Sequence, residues 1–325
     1  MAVKKIKKNT AAFYLTDEVT EALEEKAKKT GISKSEIVEQ YLTQAIIDKD
    51  QEKKPMIITI MSFKGGVAKT TSAASLAICL AQDNNKVLII DLDGQGSISQ
   101  YLGVYDQTAE ADCIADIMLT NTKGQRKTIL EIAQPTEYEN VDIVPSNFRF
   151  SDADARMRNE SSQSSIDSRL RFAIEDAIEE THYDYVIIDC PPSLGLVVTN
   201  AITALEAGND ASMIIIPVRC DGFAIAGLSN TISTIEQVAR ERRTRMRKWK
   251  LLSTIAEKNT VAYREGKKII ERSFKNAEFF NTVIPKNTSV IESTLAMQPA
   301  VIYDPKSKAS EEYHRLAEEI EEING

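Results

Sequence analysis

The spacing of apolar residues changes period along this chain, and the changes divide it. From Thr10 to Leu15, Ala11, Phe13 and Leu15 alternate with Thr10, Ala12 and Tyr14, a period of two that predicts a short strand. Val19, Ala22, Leu23 and Ala27 then recur at helical spacing. Thr16 and Asp17 are candidate caps, and Gly31 is free to take the positive φ that ends a helix. A second helix is expected from Ser33 or Ser35, with a stripe of Ile37, Val38, Tyr41, Leu42, Ala45 and Ile46. Roughly forty residues arranged strand–helix–helix are too few to close a good core alone, so residues 1–47 are expected to dimerise. Residues 48–55 read as a linker: Asp48 to Lys54 is charged and lacks apolar residues, and Pro55 follows.

From Met56 onward, residues 56–325 alternate strands with amphipathic helices. Short apolar runs occur at Ile57–Met61, Val87–Ile90, Val141–Val144, Tyr185–Ile188, Met213–Ile216 and Leu251–Ile255. Near-continuous apolar strands are those buried on both faces, so the fold class is α/β, a mostly parallel sheet flanked by helices. The last helix places Tyr313, Leu316, Ala317 and Ile320 on one face, and the serine-rich piece Ser161–Ser165 reads as a loop.

Composition adds exclusions. No apolar run approaches the ~20 residues of a membrane-spanning helix. The N-terminal lysines precede no apolar stretch, so no secretory signal is expected. Cys79, Cys113, Cys190 and Cys220 are scattered, as expected of buried thiols in a reducing cytoplasm. His182 and His314 are the only histidines, which argues against a histidine-based zinc site. The net charge of −8 argues against nucleic acid until its distribution is considered. Lys4, Lys5, Lys7 and Lys8 crowd the N-terminus. Arg240, Arg242, Arg243, Arg245, Arg247, Lys248 and Lys250 flank Trp249, and Arg264, Lys268, Arg272 and Lys275 recur at helical spacing. Such patches bind phosphate even on an acidic protein, and they are also what a solvated face looks like.

The chemistry is concentrated after the first strand of the large unit, which runs into Lys64-Gly65-Gly66-Val67-Ala68-Lys69-Thr70-Thr71 and then a helix. This strand–loop–helix context is that of a phosphate-binding loop. Glycines let backbone N–H groups approach phosphates, and the helix N-terminus favours an anion. Lys69 would reach the β- and γ-phosphates of ATP, and the Thr70 hydroxyl would ligate Mg²⁺. Phe63 and Ala68 break the general G-x-x-x-x-G-K-[ST] pattern.

Lys64-Gly65-Gly66-x-x-Lys69-Thr70-Thr71 resembles the deviant Walker A loop of the ParA/MinD ATPases. The resemblance extends through Asp91-Leu92-Asp93-Gly94-Gln95-Gly96, then Asp184 to Gly195 with Asp189 ending its strand, then Ile216-Pro217-Val218 and Gly227-Leu228. It finishes with Ile284-Pro285-Lys286-Asn287 and Tyr303-Asp304-Pro305. It is nearest to the ParA/Soj partition branch. The resemblance implies an ATPase whose catalytic residues are Lys64, Lys69 and Asp93. Lys64 acts in trans on the partner's phosphates within a homodimer, and Asp93 orients the attacking water. It implies nucleotide contacts from Lys64 to Thr71 (Lys64, Gly65, Gly66, Val67, Ala68, Lys69, Thr70, Thr71) and at Pro285 and Asn287, with Mg²⁺ near Thr70, Asp91, Asp93 and Asp189. Two departures stand out. Ala68 replaces the usual Gly, harmlessly at negative φ but with ~1–2 kcal/mol of strain at positive φ. Gly94 replaces Pro and should loosen the loop carrying Asp93. Slow hydrolysis is therefore expected.

Residues 10–47 resemble a ribbon-helix-helix domain, in which paired strands enter the major groove. The resemblance implies that Thr10, Ala12 and Tyr14 face the bases and that Ser33-Lys34-Ser35 place a helix N-terminus on a phosphate. A dimerisation clip that never touches DNA is the other reading of this unit. Among the basic clusters, Arg243, Arg247, Lys250, Arg264, Lys268, Arg272 and Lys275 are the candidates for non-specific DNA binding. The expected function is ATP-dependent DNA partition in the cytoplasm, on the nucleoid, with a ParB-like partner and no membrane association, since the last helix carries mainly glutamates where a membrane-targeting helix would carry lysine or arginine. A nucleotide-responsive transcriptional repressor and a positioning ATPase for a non-DNA cargo are the alternatives.

Overall fold

The computed structural model describes residues 16–39, 41–42, 54–160, 165–221, 224–244 and 248–325. Thr10, Ala12 and Tyr14, the N-terminal lysines, Arg245, Arg247 and nearly all of the expected linker lie outside these residues. The chain divides into two compact units, Met1–Glu52 and Lys53–Gly325.

In the first unit α1 spans Asp17–Thr30 and closes on Gly31, whose φ of 72° lets its amide reach the Ala27 carbonyl. The helix α2 follows, with described residues 34–39, 41 and 42. Ser33 caps it reciprocally. The Ser33 N–H and hydroxyl donate to Glu36 Oε2 at 3.2 and 2.8 Å, and the Glu36 N–H donates back to Ser33 Oγ at 3.3 Å. Ile37 is buried, while Val19, Tyr41 and Leu42 of the two helices stay exposed.

Among the described residues the second unit is built on eight strands: β1 (Met56–Ile60), β2 (Val87–Asp91), β3 (Gln134–Pro135), β4 (Val141–Val144), β5 (Tyr185–Asp189), β6 (Met213–Val218), β7 (Lys248–Ala256) and β8 (Phe279–Pro285). They form one sheet in the order β3-β4-β2-β5-β1-β6-β7-β8, parallel throughout except for β3 against β4. The helices are α3 (Lys69–Gln82), α4 (Ser97–Tyr101), α5 (Ile114–Met118), α6 (Ile129–Ile132), α7 (Ala153–Asn159), α8 (Arg169–Glu180) and α9 (Leu196–Thr203). Then come α10 (Ala224–Arg242), α11 (Val261–Ser273), α12 (Thr288–Leu295), α13 (Ala300–Tyr303) and α14 (Lys308–Asn324).

The continuous apolar strands split by their period of two into two cores. Ile57, Leu88, Ile90, Val186, Ile188, Ile214 and Ile216 join the core on one face. Met56, Ile58, Ile60, Ile89, Ile187, Met213 and Ile215 join the other, with α3 and α14. The stripe foreseen on the last helix seats it there, since Tyr313, Leu316, Ala317 and Ile320 are fully buried. The strand β8 was not foreseen, because Asn281 and Thr282 interrupt its apolar run. At this sheet edge the N–H groups of Asn281 and Thr282 donate to Glu319 of α14, which covers the exposed ladder. Among the described residues no helix is long and apolar enough to cross a membrane.

Candidate nucleotide site

The adjacent strands β1, β2 and β5 deliver the chemistry-bearing residues to one edge of the sheet. Asp189 is in register with Ile60 on one side and with Asp91 on the other, so both carboxylates stand beside the loop that leaves β1. This is the carboxyl edge of a parallel sheet, where open α/β folds bind ligands. The loop turns through Gly66 at φ 68° and Ala68 at φ 62°, ψ 37° before α3 begins at Lys69. The N-terminus of α3 has no side-chain cap and no acid in its first turn, so its N–H groups and the buried Lys69 are available to an anion. A side chain added at Gly65 or Gly66 would meet no protein atom, and the loop therefore opens onto space. Ala68 takes the strained alternative of the two considered from sequence.

The two buried aspartates differ in their partners. Asp91 accepts from the Asp93 N–H at 2.9 Å, from the Ser99 hydroxyl at 2.7 Å and from the Ser99 N–H at 3.3 Å. It anchors the loop that presents Asp93, and Asp93 in turn accepts from the Gln95 N–H at 3.0 Å. Both oxygens of Asp189 are buried without a hydrogen-bond partner. Burial and then the neighbouring Asp91 push its pKa up to about 8, against the pull of the Thr70 hydroxyl and Lys69. Burial likewise raises Asp91 to about 7, with Ser99 opposing. A buried carboxylate with unused oxygens calls for a counter-charge. Among the described residues no three His, Cys, Asp or Glu side chains gather as a metal-holding group. Asp91 is thus engaged by Ser99 and the Asp93 N–H, whereas the Asp189 oxygens keep no such bonds. One carboxylate and one hydroxyl, with the remaining positions left to water and phosphate, is the sparse donor set that suits Mg²⁺.

The expectation that Gly94 loosens its loop is corrected. A Cβ there would lie 2.7 Å from the Ser151 backbone, so the glycine marks a tight approach of two chain segments and not a slack loop. Lys64 is half-buried and held within its own chain, its ammonium 2.9 and 3.1 Å from the two Asp221 oxygens. No local pattern in the sequence pointed to Asp221 as that partner. Asp154 was missed as well: its Oδ1 accepts from the Val197 N–H at 2.9 Å at the start of α9. Pro285 ends β8 opposite Ala256, and the Asn287 Oδ1 caps α12 by accepting from the Ser289 N–H at 2.9 Å.

Of the DNA candidates, Arg264, Lys268 and Arg272 are exposed on α11, but Lys275 lies beyond that helix, which ends at Ser273. Lys250 stands on β7, half-buried, with its ammonium 5.2 Å from the Phe280 ring centre. Arg243 is exposed just after α10, whose Arg242 is tied to Asp167 at 2.6 Å. In the first unit Lys34 pairs with Glu24 at 2.5 Å, Ser33 is engaged in the capping box, and Ser35 is exposed.

Residues 55–248 match the family described as AAA domain, and residues 13–49 match the ribbon-helix-helix proteins of the copG family. The sporulation initiation inhibitor protein Soj of Bacillus subtilis (strain 168) is 34% identical over 81% of this chain and 97% of its own length. The chromosome partitioning protein ParA of Myxococcus xanthus is 32% identical over 81% of this chain and 87% of its own. Among solved structures, a putative plasmid partition protein from Borrelia burgdorferi B31 bound to AMPPNP superposes with a TM-score of 0.61. It is 24% identical, over 83% of this chain and 98% of that one. The septum site-determining protein MinD of Pyrococcus horikoshii OT3, complexed with Mg-ADP, gives a TM-score of 0.61 at 25% identity, over 83% of this chain and 98% of its own.

Proposed function

The chain belongs to the ParA/Soj family of partition ATPases, with a ribbon-helix-helix segment at its N-terminus, and from that premise we propose that it is an ATP-dependent DNA-partition protein. The observation that carries the reading is the uncapped N-terminus of α3, whose Lys69 and Thr70 neighbour the buried Asp189, preceded by an open glycine loop. ATP would lay its phosphates on the loop N–H groups from Gly65 to Thr71, with Lys69 against the β- and γ-phosphates. Thr70 would ligate Mg²⁺, and Asp189 would hold the ion through its water. The bound ion supplies charge neutralisation at the phosphates. Asp93 would orient the attacking water, held in place by Asp91 through the Asp93 N–H. Pro285 and Asn287 would line the nucleotide's far side.

Hydrolysis on this reading requires a homodimer. Lys64 leaves Asp221 and crosses to the partner's phosphates, which makes the isolated chain slow. A ParB-like partner bound at a centromere site would stimulate turnover. Residues 1–47 would recognise operator or centromere DNA, residues 48–55 would link them to the ATPase, and the exposed bases of α11 with Arg243 would hold the ATP-bound dimer on non-specific DNA. The protein would work in the cytoplasm, on the nucleoid.

Binding to specific and random duplexes with no nucleotide, with ADP and with ATP tests the proposal. Two modes are expected: a sequence-specific one lost with residues 1–54, and a sequence-blind one that appears only with ATP. Absence of ATP turnover, even with DNA and partner present, would favour a transcriptional regulator that uses nucleotide only as a ligand.

A further inference from the structure

The phosphate loop holds an alanine where its backbone is left-handed, at φ 62°. An L side chain takes that conformation only when its surroundings impose it. The peptide that sets φ of Ala68 is the one joining it to Val67. The carbonyl of that peptide accepts a hydrogen bond at 3.0 Å from the hydroxyl of Thr254, which stands on β7, 187 residues further along the chain. Both partners are fixed: Thr254 and the Val67 side chain are each 1% exposed.

Thr254 is itself specially presented. The ladder between β6 and β7 runs to Val218 opposite Ser253 and stops there, and the pairing of β7 with β8 shifts register between Ser253 and Ala256. The next residue, Ile255, has φ 50°, which is rare for a β-branched residue. Two left-handed, non-glycine residues thus adjoin the two partners of a single buried hydrogen bond.

We infer that Thr254 is a positioning residue for the phosphate loop, and that its hydroxyl holds the Val67–Ala68 peptide in the orientation that nucleotide binding needs. Glycine would adopt that conformation without a Cβ penalty; alanine incurs that penalty, and β7 supplies the contact that offsets it. The inference rests on the nucleotide-binding reading of the loop. It assigns to Thr254 a share of ATP affinity through preorganisation, without contact between Thr254 and the nucleotide.

The test uses the full chain and a fluorescent ATP analogue with Mg²⁺. The variants are Thr254→Val, Thr254→Ala and Thr254→Ser, each with Ala68 retained and with Ala68→Gly. Thr254→Val keeps the shape and removes the donor, and should weaken binding about tenfold, the usual worth of a buried hydrogen bond. Thr254→Ser should restore affinity to within about twofold of the parent. In the Ala68→Gly background the same Val and Ala substitutions should cost about twofold, because the loop then reaches its conformation with no Cβ strain for the Thr254 bond to offset. An equal loss in both backgrounds, or no loss in either, would overturn the inference. Thr254→Ala carries the same comparison if Thr254→Val fails to fold. Failure of the parent chain to bind the analogue would sink the nucleotide reading itself, and the inference with it.

Discussion

At the scale of single residues, Asp189 sets function against stability. Folding takes its carboxyl out of water with no hydrogen-bond partner, and its pKa rises to about 8 from the 3.8 of an unfolded aspartate. A group whose pKa is raised on folding contributes its full stability below the unfolded pKa and loses it as pH climbs through the folded one. The nucleotide-free protein should therefore weaken between about pH 4 and pH 8 on account of this side chain. Asp189→Asn keeps the volume and removes the charge. It should raise the melting temperature without nucleotide, by more at pH 8 than at pH 5, while abolishing Mg²⁺-dependent ATP hydrolysis. A variant that melts lower than the parent at pH 8 would contradict this account. Gly94 gives a second case. The resemblance suggested that proline is the ordinary residue there, but a Cβ would meet the Ser151 backbone at 2.7 Å. Gly94→Pro should thus lower the melting temperature and slow hydrolysis, where restoring an ordinary residue to a loose loop would do neither.

At the scale of elements, legibility followed the continuity of the apolar pattern. The strands β1, β2, β4, β5 and β6 are apolar at nearly every position and could be read directly, because both faces of each meet a core. The strand β8 hides behind Asn281 and Thr282, whose amides are satisfied by Glu319, a partner 37 or 38 positions away that no local pattern reveals. The first three residues of β7, Lys248-Trp249-Lys250, read as a charge cluster and not as a strand. The site divided in the same way. The loop, Asp91, Asp93 and Asp189 stand in contiguous motifs, whereas Asp221 reaches Lys64 across 157 positions and Thr254 reaches Val67 across 187. Long-range pairs of this kind become visible only once the sheet has been assembled.

The seat of α14 on α3 yields the prediction at this scale. Leu316 is fully buried in the core that α14 and α3 share, and the Tyr313 hydroxyl lies 3.1 Å from Ser72 Oγ, three residues past Lys69. Leu316→Ala should cost about 2–5 kcal/mol by leaving a cavity. Tyr313→Phe should cost about 1 kcal/mol by removing one hydrogen bond. Urea unfolding of the three proteins measures both, and equal midpoints for Leu316→Ala and the parent would show that α14 is not part of the cooperative core.

At the scale of the whole molecule, the charge balance and the proposed partner pull in opposite directions. The chain carries a net −8, so DNA as a bulk polyanion should repel it. Binding then depends on local fields, which extend only about 8–10 Å at physiological salt. The helix α11 meets this condition with Arg264, Lys268 and Arg272 exposed. The pairing of Lys268 with Glu265 at 2.9 Å is between exposed groups and is too weak to hold the ammonium from a phosphate. If these three side chains each neutralise one phosphate, replacing all three by alanine should flatten the dependence of log K on log salt by about 2 to 3. The loss should fall equally on random and specific duplexes in the ATP-dependent mode, since phosphate contacts carry no sequence information. Recognition through the N-terminal unit, measured without nucleotide, should keep both its affinity and its slope. An unchanged slope with ATP would remove α11 from the DNA interface and leave Arg243, Lys250 on β7 and Lys275 as the remaining described candidates.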